Sequence, residues 1–269
     1  MKEISQIRLD LQAVHKINKM VSIELMGGLG NWMFQIAFYE YLKTITNSEI
    51  NLYIGSTSPH SNTDLMNTVF ENWKDNLTEY PHNMTRFIEE NLRPYNWKDV
   101  IETNSDIHII GYFQNYTYLT PNLLQKLKFP IEIMEKYPNI RDKVFLHIRG
   151  GDYLNGDLYE MKLHRNYYPN AIKEFPNDTQ FYIFTNDMNY AKSMLFLNNI
   201  AHEFIQESDL DSLYLMSQCK GGICANSSFS WWGARLNPTR KLTLPSKWFN
   251  DPSYYTDGYY FKEATIIEI

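Results

Sequence analysis

The sequence predicts an α/β fold: parallel sheets with helical crossovers, arranged as two halves. Three observations predict it. In the second half, five short apolar runs alternate with four helix-like segments, the grammar of a doubly wound parallel sheet. The opening after residue 20 reads as strand, glycine turn, helix, strand. The 12 glycines are clustered, three in 27–30, three in 150–156 and three in 221–233, where backbone must turn sharply or approach something closely.

Taken in order, residues 1–19 form an appended charged segment with the pattern of one amphipathic helix. Residues 21–26 (VSIELM) are the first strand, followed by the turn GGLGN (27–31). A helix is expected over 31–45 from the stripe Met33, Phe34, Ala37, Phe38 and Tyr41, and a second strand over 50–54. The polar, Asn-rich stretch 56–105 carries no readable period. Strand character resumes at 106–113, and 121–137 reads as a helix interrupted at Pro130. In the second half the strands are 143–149, 180–185, 201–205, 221–225 and 241–245. The helices are 167–175, 188–199, 209–220 (Asp209 as N-cap) and 228–236. The expected organisation is an extension (1–19), a first half (20–138) and a second half (139–269).

Composition narrows the function. The chain has 269 residues and a net charge of −6, so a basic nucleic-acid or membrane-surface patch is not expected. Two Cys exclude a disulfide scaffold. Mean hydropathy is −0.44 with no apolar run of membrane length. The N-terminus has no apolar signal core, so a cytoplasmic location is expected.

In open α/β sheets, ligands bind beyond the carboxyl ends of the strands. Four loops there could carry chemistry. GGLGN is either a tight strand–helix turn or a cradle of backbone N–H groups for phosphate. It fails as a dinucleotide fingerprint, because Met33 stands where Gly or Ala is needed. In HIRGGDY (147–153), strand alternation puts His147 and Arg149 on one face, with Asp152 just beyond Gly150 and Gly151. An arginine fork matches phosphate oxygens. In ANSSFSWWGARL (225–236), Asn226, Ser227 and Ser228 can cap the helix or bind a pyrophosphate. Phe229 can stack on a base or sugar, while Trp231 and Trp232 are read as core. FTND (184–187) ends a strand with groups suited either to a nucleobase or to a helix cap. Asp209-Leu-Asp211 resembles a metal-binding DxD but opens a helix, so capping explains it better. Cys219 and Cys224 lack a second ligand pair and are read as buried thiols.

Together GGLGN, GYFQ (111–114), HIRGGDY, FTND and NSSFSWWGARL resemble, in order, the motifs of the bacterial and animal α-1,2-fucosyltransferases, over roughly residues 20–240. That resemblance implies the glycosyltransferase B fold, two Rossmann-like halves facing a cleft. It also implies metal-independent, inverting transfer of L-fucose from GDP-β-L-fucose to a glycan hydroxyl, commonly galactose O2, with no cofactor. By the same resemblance Arg149 neutralises the pyrophosphate, Asp152 organises its loop and His147 lies beside the nucleotide. Asn226, Ser227, Ser228 and Phe229 form the phosphate and nucleotide junction, and Asp187 bonds guanine. Gly28, Gly30 and Asn31 close over phosphate and fucose. Two positions depart from the family: Gly150 replaces a second Arg, and Trp32 replaces Gln. Asp157 and Glu160 are candidates for the base on position alone. The alternatives are transfer from another GDP-sugar and a non-catalytic glycan or nucleotide module.

Overall fold

The computed structural model describes residues 19–55 and 63–269. The helix expected over 1–19 lies almost wholly outside them. Two all-parallel sheets carry the fold. The first contains β1 (Met20–Leu25), β2 (Glu49–Ile54), β3 (Thr85–Ile88) and β4 (Ile107–Ile110), in the order β2-β1-β4-β3. Helix α1 (Leu29–Ile45) connects β1 to β2, and α2 (Trp97–Thr103) connects β3 to β4. The register sets Val21 and Ile23 beside Ile50, Leu52, Ile107 and Ile109, giving one apolar face. On the opposite face a buried polar chain forms: His108 Nδ1 lies 3.2 Å from Ser22 Oγ and its Nε2 3.1 Å from Glu24 Oε2. Burial keeps the His108 pKa low, against the pull of Glu24.

The segment 121–137 is not one helix. It contains α3 (Pro121–Lys126) and a separate 3₁₀ turn, Ile131–Glu135, on either side of Pro130. The second sheet contains β5 (Val144–Ile148), β6 (Gln180–Thr185), β7 (Ala201–Phe204), β8 (Gly221–Ile223), β9 (Lys241–Pro245) and β10 (Thr265–Ile267). Its helices are α4 (Tyr167–Ile172), α5 (Met188–Lys192), α6 (Asp209–Gln218) and α7 (Ser228–Arg235). The order β10-β9-β8-β5-β6-β7 is that of the dinucleotide-binding doubly wound sheet. The strand order winds outward in opposite senses from the parallel β5–β8 pair, so a crevice opens beyond their carboxyl ends. The helix expected over 188–199 stops at Lys192 and resumes as 3₁₀ at Leu195–Asn199. The N-cap of α6 is Ser208, not Asp209: its hydroxyl accepts the Asp211 N–H at 3.1 Å.

The halves share one core. Phe34 of α1 lies 4.6 Å from Trp231 and 5.1 Å from Trp232 between ring centroids, and both tryptophans are fully buried. The tail beyond β9 then crosses back to the first half. Tyr255 N–H donates to the Asn91 carbonyl, and the Tyr259 hydroxyl donates to Gln114.

Candidate active site

The cleft has a volume of about 1090 Å³ and is walled by both halves. Its arginine-bearing wall follows from strand order. β5 ends at Ile148, so Arg149 emerges at the switch point, and β8 delivers Asn226–Ser228 beside it. The Arg149 guanidinium is fixed from two sides. Its Nη2 donates to Asp152 Oδ1 at 2.6 Å, and the Tyr153 ring lies beneath it at 4.6 Å. Tyr153 is itself stacked on Tyr159, with centroids 3.6 Å apart. Arg149 is 22% exposed and its Nε has no partner among the described residues, so it keeps donors for an anion.

Helix α7 begins at this crevice. Ser227 makes no side-chain cap, so the first N–H groups of α7 remain available. GGLGN meets the same helix from the other half. A Cβ on Gly30 would come within 2.7 Å of Phe229 N and Ser228 C, which is why only glycine fits. Asn31 Oδ1 accepts from Ser228 Oγ at 3.0 Å and from Gln114 Nε2 at 2.7 Å, joining the halves. His147 is buried, with Nδ1 unpartnered among the described residues and its ring 5.7 Å from Phe229. Burial and the Arg149 charge push its pKa down to about 3, so it is a neutral imidazole.

The structure therefore brings Gly28, Gly30, Asn31, His147, Arg149, Asp152, Asn226, Ser227, Ser228 and Phe229 onto one cleft. Asn226 is mainly a tie: Nδ2 donates to the Glu160 and Trp248 carbonyls, both at 2.9 Å, while Oδ1 is buried and unpartnered among the described residues. Two expected residues are not on the walls. Asp187 is consumed as the N-cap of α5, accepting from Tyr190 N at 3.0 Å, and also accepts from Gly151 N at 3.2 Å. Its neighbours Thr185 and Asn186 face the cleft instead. Asp157 is exposed, outside the cleft lining. Glu160, the other candidate base, is also outside the cleft lining. Burial would raise its pKa, but the Lys162 N–H and the Lys247 ammonium outweigh that and hold it low.

Both departures from the family pattern have physical reasons. Gly150 sits under Tyr190: a Cβ there would lie 2.7 Å from Tyr190 Cδ1 and 3.0 Å from Asp187 Cβ, leaving no path for an arginine. Trp32 points away from the cleft into the first-half core, 6.1 Å from Phe70. Sequence reasoning missed Tyr153, Tyr159, Trp248 and Tyr259 as cleft residues. The last two stack at 3.9 Å, and Trp231 Nε1 donates to the Tyr259 carbonyl at 2.7 Å, but the tail that carries them has no period to read.

Comparison with known proteins agrees with this architecture. Residues 43–267 match the model of glycosyl transferase family 11. The chain belongs to that family and is a glycosyltransferase. It is 28% identical to an α-1,2-colitosyltransferase of Escherichia coli, over 85% of this chain and 92% of that one. It is 33% identical to the O-antigen biosynthesis glycosyltransferase WbnK of Escherichia coli over 39% of this chain and 38% of that one. Fucosyltransferase NodZ from Bradyrhizobium has a similar fold, at TM-score 0.50 and 14% identity over 82% of this chain and 94% of that one. The glycosyltransferase B fold is thus the fold of this chain. Among the described residues no helix is long and apolar enough to cross a membrane.

Proposed function

We propose that this family 11 enzyme transfers L-fucose from GDP-β-L-fucose to a sugar hydroxyl, the O2 of a terminal galactose, with inversion and without a metal. The observation that carries the reading is the convergence of Arg149, the uncapped start of α7 and the GGLGN loop at the β5–β8 switch point. As the glycosidic bond to phosphate breaks, the sugar takes on oxocarbenium character and negative charge grows on the leaving phosphate. Arg149 and the α7 N–H groups are fixed donors for that charge, and they need no reorganisation at the moment of transfer. Asp152 and Tyr153 hold Arg149 in place, and Gly30 allows the first half to close against Phe229.

A colitosyl donor is the second reading, favoured by the similarity to the colitosyltransferase over 85% of this chain. Colitose lacks the 3-hydroxyl of fucose, and a site built to bond that hydroxyl rejects the deoxy sugar by about 10⁴-fold or more. Thermal stabilisation in EDTA with GDP, GDP-fucose, GDP-colitose, GDP-mannose and UDP-galactose tests both. A ligand at about 100 times its Kd adds roughly 2.7 kcal/mol. Stabilisation by GDP and GDP-fucose is expected. Stabilisation by UDP-galactose alone, or dependence on a divalent ion, would overturn the reading.

A further inference from the structure

Three of the four described non-glycine residues with positive φ gather at one place: Asn91 (48°), Leu92 (59°) and Phe113 (49°). Leucine and phenylalanine take this backbone only when their surroundings impose it, and such positions cluster at functional sites. Here they flank a side cavity of about 400 Å³ beyond the carboxyl ends of β3 and β4. The cavity shares Met26, Leu92, Tyr112 and Tyr254 with the main cleft, so it opens off that cleft.

Glu89 lines this cavity. The GYFQ segment wraps its carboxylate: Oε2 accepts Tyr112 N–H at 2.9 Å and Phe113 N–H at 3.0 Å. Gly111 is packed so closely that a Cβ would lie 2.6 Å from that of Glu89. Oε1 accepts no hydrogen bond among the described residues. Most carboxylates on the main cleft are engaged. Asp152 holds Arg149, Glu207 is bonded by Lys136 and Tyr137, and Glu24 by His108. Asp209 sits in the first turn of α6, on the second-half side. An aromatic wall, Tyr112 (39% exposed) with Tyr254, beside a carboxylate with one open oxygen suits a pyranose: ring C–H groups on the tyrosine, a hydroxyl on the acid.

We infer that this side cavity is the acceptor-sugar subsite and that Glu89 takes the proton of the attacking hydroxyl. The inference rests on the donor assignment above. The acceptor oxygen bonds to C1 of the donor sugar while the bond from C1 to phosphate oxygen breaks. The bonding pair leaves on the β-phosphate of GDP, and the hydroxyl proton passes to Glu89 Oε1 and then to solvent. Burial raises the Glu89 pKa to about 7, against the lowering effect of the two N–H donors, which suits a base working near neutral pH. The titratable groups around it are Tyr112 and Tyr254 in the cavity, Tyr118 and Tyr259 coupled through space, and Glu90 next in the chain.

The test compares wild type with Glu89→Gln and Tyr112→Ala, using GDP-fucose with lactose and, without lactose, with water as acceptor. Glu89→Gln is expected to bind GDP within threefold of wild type and to release GDP from GDP-fucose about 10²–10⁴ times more slowly. Wild-type kcat is expected to rise through about pH 7, and Glu89→Gln to lose that rise. Tyr112→Ala raises KM for lactose about tenfold or more, with KM for GDP-fucose unchanged, as expected for loss of a stacking wall. Turnover by Glu89→Gln within fivefold of wild type, or a matching loss of GDP affinity, overturns the inference. A wild type that binds no GDP, or releases none with either acceptor, overturns the donor assignment instead.

Discussion

Glu89 makes an unusual demand on stability that can be measured without any substrate. A carboxyl whose ordinary value is 4.5 is held at about 7 by burial, with two main-chain N–H donors working the other way. The folded state therefore binds this proton more tightly than the unfolded chain does. The contribution is neutral below the unfolded value. It turns unfavourable as pH rises between 4.5 and 7, and its full cost persists above 7. At about 1.36 kcal/mol per pH unit, ionised Glu89 costs the fold about 3 kcal/mol. Glu89→Gln keeps the shape, and its amide oxygen can accept the same two N–H groups, but it never ionises. The variant is expected to be more stable than wild type by about 3 kcal/mol at pH 8 and by under about 1 kcal/mol at pH 5. In a chain of this size the pH 8 difference is a rise in Tm of roughly 5–10 °C. Urea unfolding followed by tryptophan fluorescence at pH 5, 6, 7 and 8 measures it. A difference that does not change with pH, or a wild type more stable than the variant at pH 8, would refute the reasoning.

Three further outcomes are expected. Arg149→Ala should keep its fold and lose about 10²–10³ in transfer rate, the usual effect of removing one preorganised donor, and steady-state GDP release measures it. Gly30→Ala drives a Cβ into the backbone of Ser228 and Phe229, so it should weaken GDP binding about tenfold or more, seen by calorimetry, with a lower Tm. Burial pushes the Cys219 thiol up to about 12 and the Cys224 thiol higher still, so neither should react with Ellman's reagent until urea unfolds the chain.

Much of the second half was legible because its signals are strong and local. β5, β6 and β9 are apolar runs that end in polar or glycine loops, and strand-end position alone pointed to Arg149 and Ser227. Boundaries ran long: 143–149 is 144–148 and 221–225 is 221–223, because the last residues leave the ladder for the cleft. The first half hid more. β3 is a four-residue edge strand of mostly exposed residues with Arg86 inside it, so no apolar run announced it. Glu89 lies in the stretch 56–105 that carries no readable period, and only the pairing of β3 with β4 folds GYFQ over it. Asp187 is off the cleft walls for the opposite reason. Its neighbours were placed well, but α5 starts at Met188 and claims the carboxylate as its cap. Sequence order says little about which of several adjacent polar groups a helix will consume.

The packing of α1 against α7 bears on how this family could be re-engineered. Two nucleotide-type halves invite exchange, grafting an acceptor half from one relative onto a donor half from another. Here Phe34, Trp231 and Trp232 interlock, and the backbone at Gly30 touches that of Phe229. A chimera cut between the sheets would leave large aromatic faces mismatched, and either half made alone would present them to water. The portable unit is larger than a half. It is the first sheet together with α7 and the tail that carries Tyr259 back to Gln114, so parts from both sides of the junction would have to travel together.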